Sequence, residues 1–165
     1  MTWQLRSATV DDLDAIMAIE TATFASDAWS RDLMRAELAS PHTRYLVAAP
    51  LDRAAAPERN AIEGYAGMLA PRRSEQADIQ TIAVVATARR SGLGRTLMRS
   101  LISEAASRGA KEIFLEVRAD NPSAESLYRS LGFEQLAIRP GYYQPDNVDA
   151  IVMRLTVPEP TIELA

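Results

Sequence analysis

Apolar residues recur along this chain with two periods, near two and near 3.6 residues, and the switches between them mark its elements. Trp3 and Leu5 alternate with Gln4 and Arg6, which predicts a first strand over residues 3–9. Thr9 with Asp12 three residues on reads as a helix cap, and Leu13, Ile16, Met17, Glu20 and Phe24 carry that helix to about residue 24. The pattern breaks from Ala25 to Trp29. Ser30 then caps a second helix whose apolar face is Leu33, Met34 and Leu38, ended by Ser40 and Pro41. Tyr45 to Ala49, Ile62 to Ala70 and Asp78 to Val85 predict three strands. Between the first two, residues 50–61 turn to Ala, Pro and charge, as a long hairpin loop would.

Leu97, Met98, Leu101, Ile102 and Ala105 fall on one helical stripe, so a helix starts near Ser91 and stops at Gly109. Ile113 to Val117 is an apolar strand carrying one acid, Glu116. Asn121 at a cap and Pro122 at the first helical position open another helix, with Ala124, Leu127, Tyr128 and Leu131 on its core face and Gly132 ending it. Phe133 to Arg139 predicts a strand, Tyr142 to Pro145 a loop, and Ala150 to Leu155 the last strand. The order β-α-α-β-β-β-α-β-α-β-β, without a repeat, predicts an α/β fold (α+β, mixed sheet) as one domain over residues 1–155. Residues 156–165, with Pro and Glu, are expected to form a flexible tail.

Composition narrows the chemistry. At 165 residues and 47% hydrophobic, the chain is long enough for a core of its own. It has no cysteine, which excludes thiolate metal sites, disulfides and a Cys nucleophile. One histidine, His42, beside Ser40 and Pro41, leaves no material for a histidine metal site or a Ser-His triad, so no metal is expected. The net charge of −4 argues against a nucleic-acid partner. No apolar run approaches the roughly 18 residues that span a membrane, and the first residues carry no basic-then-apolar signal, so a cytoplasmic location is the expectation.

The candidate chemistry begins where the strand ending at Val84 and Val85 passes through Arg89-Arg90-Ser91-Gly92-Leu93-Gly94 into a helix. Amides at a helix start lack partners and the macrodipole puts partial positive charge there. Gly92 and Gly94 would let a phosphate approach the backbone, while Arg89, Arg90 and Arg95 add charge. A glycine pair at a turn serves geometry equally well. No Lys-Ser or Lys-Thr follows, so this is not a Walker A loop, and the three-glycine dinucleotide fingerprint is incomplete at Met98.

The spacing R-x-x-G-x-G after a strand resembles the acetyl-CoA pyrophosphate loop of the GNAT N-acetyltransferases. The likeness spans about residues 5–155. Leu115-Glu116-Val117-Arg118, Asn121, Leu127-Tyr128, Leu131-Gly132-Phe133, Arg139-Pro140-Gly141-Tyr142-Tyr143 and Ala28-Trp29-Ser30 are similar to the RimI branch of that family, which acetylates the N-terminal alanine of a small-subunit ribosomal protein. Ala28 stands where that branch carries Pro, residues 50–61 form an insertion, and residues 77–81 are poor in acids on the strand that faces substrate.

This resemblance implies the GNAT acyl-CoA N-acyltransferase fold, acetyl-CoA as substrate, CoA as product and a protein N-terminus as partner, with the enzyme a monomer or weak dimer. It places Arg89, Arg90, Ser91, Gly92, Leu93, Gly94 and Arg95 at the pyrophosphate. Ile82, Ala83 and Val84 would lie along the pantetheine arm, which requires a locally splayed strand. Glu116 is the candidate base, its carboxyl raised by an apolar setting; the plainer reading is an ion pair with Arg118 or another cation. Tyr128 is the candidate acid, or simple core. Asn121 is a cap with a cofactor contact implied; Tyr142 and Tyr143 are candidate walls of the peptide slot, although adjacent strand residues face opposite ways, and Trp29 is either a further wall or a plug of the helix turn. A lysine or small-molecule amine as acceptor, and a silent acyl-CoA-binding sensor, stay open.

Overall fold

The computed structural model describes residues 3–51 and 61–158. Parts of the expected hairpin loop (52–60) and tail (159–165) lie outside the described residues. The chain runs β1 (Trp3–Ser7), a 3-10 turn (Val10–Asp12), α1 (Leu13–Thr23), α2 (Arg31–Ala39), β2 (Thr43–Pro50), β3 (Gly64–Leu69) and β4 (Gln76–Val84). A second 3-10 turn (Ala86–Ala88) leads to α3 (Leu93–Ser107), followed by β5 (Glu112–Arg118), α4 (Pro122–Ser130), β6 (Glu134–Tyr143) and β7 (Val148–Thr156). This is the expected order, in one seven-stranded mixed sheet ordered β1-β2-β3-β4-β5-β7-β6.

Each face of the sheet has its own core, because alternate strand residues face opposite ways. Leu46, Ala66, Met68, Ile113, Leu115, Ile151 and Met153 pack beneath Leu93, Leu97, Met98, Leu101 and Ala105 of α3 and Tyr128 of α4. Leu97, Met98 and Leu101 are fully enclosed, each stabilising the fold by about 1.5–3 kcal/mol. On the other face Tyr45, Val47, Tyr65 and Ala83 pack under Leu13, Ile16 and Ile19 of α1 and Met34 of α2. Leu33, expected on the core face of α2, is instead 47% exposed. Ser30 caps α2 by accepting from the Leu33 backbone N–H.

Two irregularities open the sheet at its centre. β4 pairs with β3 as Gly67 to Thr81 and Met68 to Ile79, which leaves Gln80 bulged. The Tyr45 ring lies over Gly67, 2.1 Å from where a Cβ would stand, and its hydroxyl donates to Gln80 Oε1 at 2.7 Å. A side chain at Gly67 would block that crossing. The parallel ladder between β4 and β5 has only three rungs, Gln76–Asp78 against Glu112–Phe114, so the two strands are unpaired beyond Asp78 and Phe114. This is the splay that the resemblance requires at Ile82 to Val84.

Tyr142 and Tyr143, expected in a loop, belong to β6, which resumes its pairing with Tyr143 opposite Val148 after an irregularity beyond Arg139. Gly109 and Gly132 take positive φ just past the ends of α3 and α4, as expected.

Candidate active site

The loop before α3 is built to present backbone amides. Arg90 and Gly92 take positive φ of 62° and 89°, and α3 begins at Leu93, two residues later than Ser91. The first amide to find a helical acceptor is that of Thr96, bonded to Gly92 O at 3.0 Å. The N–H groups of Arg90, Ser91, Gly92, Leu93, Gly94 and Arg95 donate to nothing among the described residues. Nothing lies within 4 Å of the site a Cβ would take on Gly92. Six consecutive free amides around open space, at the positive end of a 15-residue helix, fit a phosphate group.

Side chains divide the remaining work. Arg89 and Arg90 are exposed, and neither they nor Arg95 form an ion pair among the described residues. Arg95 donates to Ser130 Oγ at 2.8 Å, tying α3 to α4. Ser91 donates to Ala88 O. Leu93, expected at the cofactor, is 1% exposed in the core, so only its amide is available. Ile82 and Val84 pack toward α3, while Ala83 faces α1. Asn121 accepts the Ala124 N–H at 3.2 Å as the cap of α4; the structure shows that role for it and no other.

On the face away from α3, β5 presents Phe114, Glu116 and Arg118, since Ile113, Leu115 and Val117 take the other side. Asp78 of β4 stands opposite Phe114. The α1 and α2 side chains reach β2, β3 and the end of β4, so this half of the sheet has no helix over it among the described residues. Glu116 was expected to be desolvated; it is exposed and accepts from Arg139 at 2.7 Å. Its ion partner is therefore Arg139 of β6, not Arg118. Asp78 is raised by partial burial and then by the Glu116 charge, which puts the two carboxylates in one field.

Tyr128 is 7% exposed, edge-on to Phe133 at 6.1 Å. Burial first, and Tyr143 second, push its hydroxyl up to about 12. That hydroxyl makes no hydrogen bond among the described residues, yet no fully buried side-chain polar atom lacks a partner, so it opens to the surface. Tyr143 is half-buried and also pushed up to about 12, by burial and then by Glu116 and Asp27. It thus shares a neighbourhood with both Glu116 and Tyr128. Tyr142 is 46% exposed beneath the Arg139 guanidinium, 4.3 Å from its ring centre. Trp29 packs half-buried on the α1 cluster rather than standing free.

Two features escaped the sequence. Glu20, on the buried stripe of α1, is 1% exposed; it accepts from the Tyr65 hydroxyl, while burial raises its carboxyl above the usual range. An acid four residues after Ile16, on an otherwise apolar face, was the available signal. Arg118, expected only as part of a motif or as a partner for Glu116, instead gathers three carboxylates, from Asp27, Asp120 and Asp146. Among the described residues no helix is long and apolar enough to cross a membrane.

Residues 13–133 match the model of the Acetyltransferase (GNAT) family. The N-alpha-acetyltransferase RimI of Mycobacterium tuberculosis is 33% identical over 153 residues, covering 91% of this chain and 90% of that protein. An uncharacterized protein of Mycobacterium leprae is 36% identical over 146 residues, 87% of this chain; the chain spans 38% of that protein's length. The crystal structure of the ribosomal-protein-S18-alanine N-acetyltransferase from Escherichia coli superposes with a TM-score of 0.80 at 30% identity, covering 99% of each chain. With the strand, amide-presenting loop and helix in place, and the family match running from α1 through α4, the chain belongs to the GNAT family of acetyltransferases.

Proposed function

We propose that this acetyltransferase moves an acetyl group from acetyl-CoA to a protein N-terminal α-amine, with the terminal alanine of a small-subunit ribosomal protein as its acceptor in the cytoplasm. The observation that carries the reading is the juxtaposition of two half-sites. Six unpaired amides stand at the start of α3, three in the preceding loop and three in its first turn, on one side of the splayed β4–β5 junction, and the open sheet floor bearing Glu116 lies on the other. The 33% identity to an N-alpha-acetyltransferase over most of both chains supports the α-amine over other acceptors.

Acetyl-CoA brings an activated thioester, and the chain must hold it, free the amine and ease the thiolate away. The amides of Arg90 to Arg95 would hold the pyrophosphate, and β4 at Ile82 to Val84, paired with β3 but left open on its β5 side, would line the arm. An α-ammonium with a pKa of about 7.7–8.0 must lose a proton before attack. Glu116 is the acceptor, oriented by Arg139. Tyr128 stays protonated across the working range and donates to the departing sulfur. A thiol's ordinary value is about 8.5, so hydrogen bonding rather than complete transfer carries that stabilisation. Tyr142, Tyr143 and Trp29 form the walls of the acceptor slot.

The test is CoA release with peptides copying the mature N-terminus of the ribosomal protein, beside the same peptides N-terminally blocked but bearing a free lysine. Turnover with the free α-amine alone is the expected result. Equal turnover on the blocked lysine peptide would replace the proposal with a lysine acetyltransferase. Tight acetyl-CoA binding without turnover on either would point to a small amine or a sensor.

A further inference from the structure

Arg118 ends β5 with a side chain only 18% exposed, and it touches three separate segments. Its Nε and one terminal nitrogen donate to the two carboxylate oxygens of Asp120 at 2.9 and 3.0 Å, a bidentate pair at the start of the α4 turn. The same terminal nitrogen reaches Asp146 at 3.3 Å, in the turn between β6 and β7, and the other lies 3.7 Å from Asp27, between α1 and α2. The guanidinium lies 5.2 Å from the centre of the Tyr143 ring. Asp146 also accepts from Ser26 at 2.9 Å, so the α1–α2 segment and the β6–β7 turn are tied twice.

An isolated surface ion pair contributes little, but a bidentate arginine in a network of partly shielded charges fixes geometry. What it fixes here is the spacing between two walls. One carries Trp29, two residues from Asp27, and the other Tyr142 and Tyr143, the latter in the neighbourhood of Glu116. We propose that Arg118 is a positioning residue for the acceptor: by clamping Asp27 and Asp146 to the end of β5 and stacking on Tyr143, it sets the width of the slot above Glu116. This rests on the acceptor entering over that floor, as in the proposed function. The amide loop before α3 lies outside the clamp, so the cofactor half-site is independent of it.

Arg118→Lys keeps the charge but loses the planar fork; Asp146→Asn and Asp27→Asn each loosen one wall and stand in should Arg118→Lys fold poorly. Steady-state kinetics of Arg118→Lys should show acceptor KM raised about tenfold, with kcat less affected and the acetyl-CoA dissociation constant within about twofold of wild type. Amide hydrogen exchange should quicken in residues 24–30 and 142–147 together while α3 keeps its protection. Acceptor KM unchanged, or KM, acetyl-CoA affinity and melting temperature worsening in step, would overturn the proposal. The kinetic comparison uses whichever amine the wild-type enzyme acetylates, so a wrong acceptor class sinks the proposed function without touching the clamp. Should no acceptor be found, exchange unchanged in either wall would by itself refute it.

Discussion

Gly92 and Gly94 make different demands on the loop before α3, and a pair of alanine substitutions separates them. At φ 89° with nothing near its Cβ position, Gly92 meets no steric neighbour, so Gly92→Ala is opposed by backbone conformation alone. An L-residue in the left-handed region costs about 1–2 kcal/mol. Losing glycine's freedom in the unfolded chain returns about 0.4–1 kcal/mol, for a net destabilisation of about 1 kcal/mol. In a domain of this size that lowers the melting temperature by about 2–4 °C. Gly94 lies inside α3, and an added methyl would meet Leu127 Cδ2 at 3.4 Å, an ordinary contact. Gly94→Ala should therefore hold or raise the melting temperature, since alanine gains up to about 1 kcal/mol over glycine in a helix. Calorimetric melts with and without saturating CoA read both effects. The Gly92→Ala methyl would stand in the space faced by the free amides, so CoA should stabilise that variant less than wild type. If Gly92→Ala melts with wild type and keeps the full CoA-induced shift, both the strain argument and the phosphate assignment fail.

Two further predictions concern titrating groups. Glu116→Gln should lower kcat about 10²–10⁴-fold and Tyr128→Phe about 10²–10³-fold; equilibrium binding of acetyl-CoA should be unchanged in both, and a variant retaining wild-type kcat removes that residue from the chemistry. Glu20 is held above the ordinary carboxyl value by burial, so between that ordinary value and its folded one the unfolded state has lost a proton that the folded state keeps. Stability attributable to Glu20 therefore falls as pH rises through that window. Glu20→Gln preserves an acceptor for Tyr65 and should flatten this decline; melting curves across pH that run parallel to wild type would contradict the assignment.

The parts of the fold written in local chemistry were legible. Ser30, Asn121, Gly109 and Gly132 act on backbone groups within a few residues of themselves, and each cap or stop is where the sequence places it. Features that depend on a distant partner were not. Tyr142 and Tyr143 follow Pro140 and Gly141 and look like a loop, yet β7 takes Tyr143 back into register at Val148. The Gln80 bulge depends on a Tyr45 ring crossing Gly67, three residues from three strands. The glycine loop could be found, but only the left-handed backbone at Arg90 and Gly92 shows that it frees six amides. For Glu116, an apolar strand suggested burial; alternation put it on the uncovered face, where Arg139 from another strand became its partner.

The three-rung ladder between β4 and β5 has a consequence for how the molecule assembles. The strands from β1 to β4 pair antiparallel with sequence neighbours, and β5, β7 and β6 form a second antiparallel group. Within the sheet, among the described residues, only the parallel junction, spanned by α3, joins them, and parallel pairing across a crossover bears a larger loop-closure cost than neighbouring antiparallel strands do. The two groups can thus gain most of their pairing before they meet, leaving the seam between them as a late step. The proposed thioester cleft lies along that seam, so a chain that has not finished folding has no cleft in which to engage its substrates.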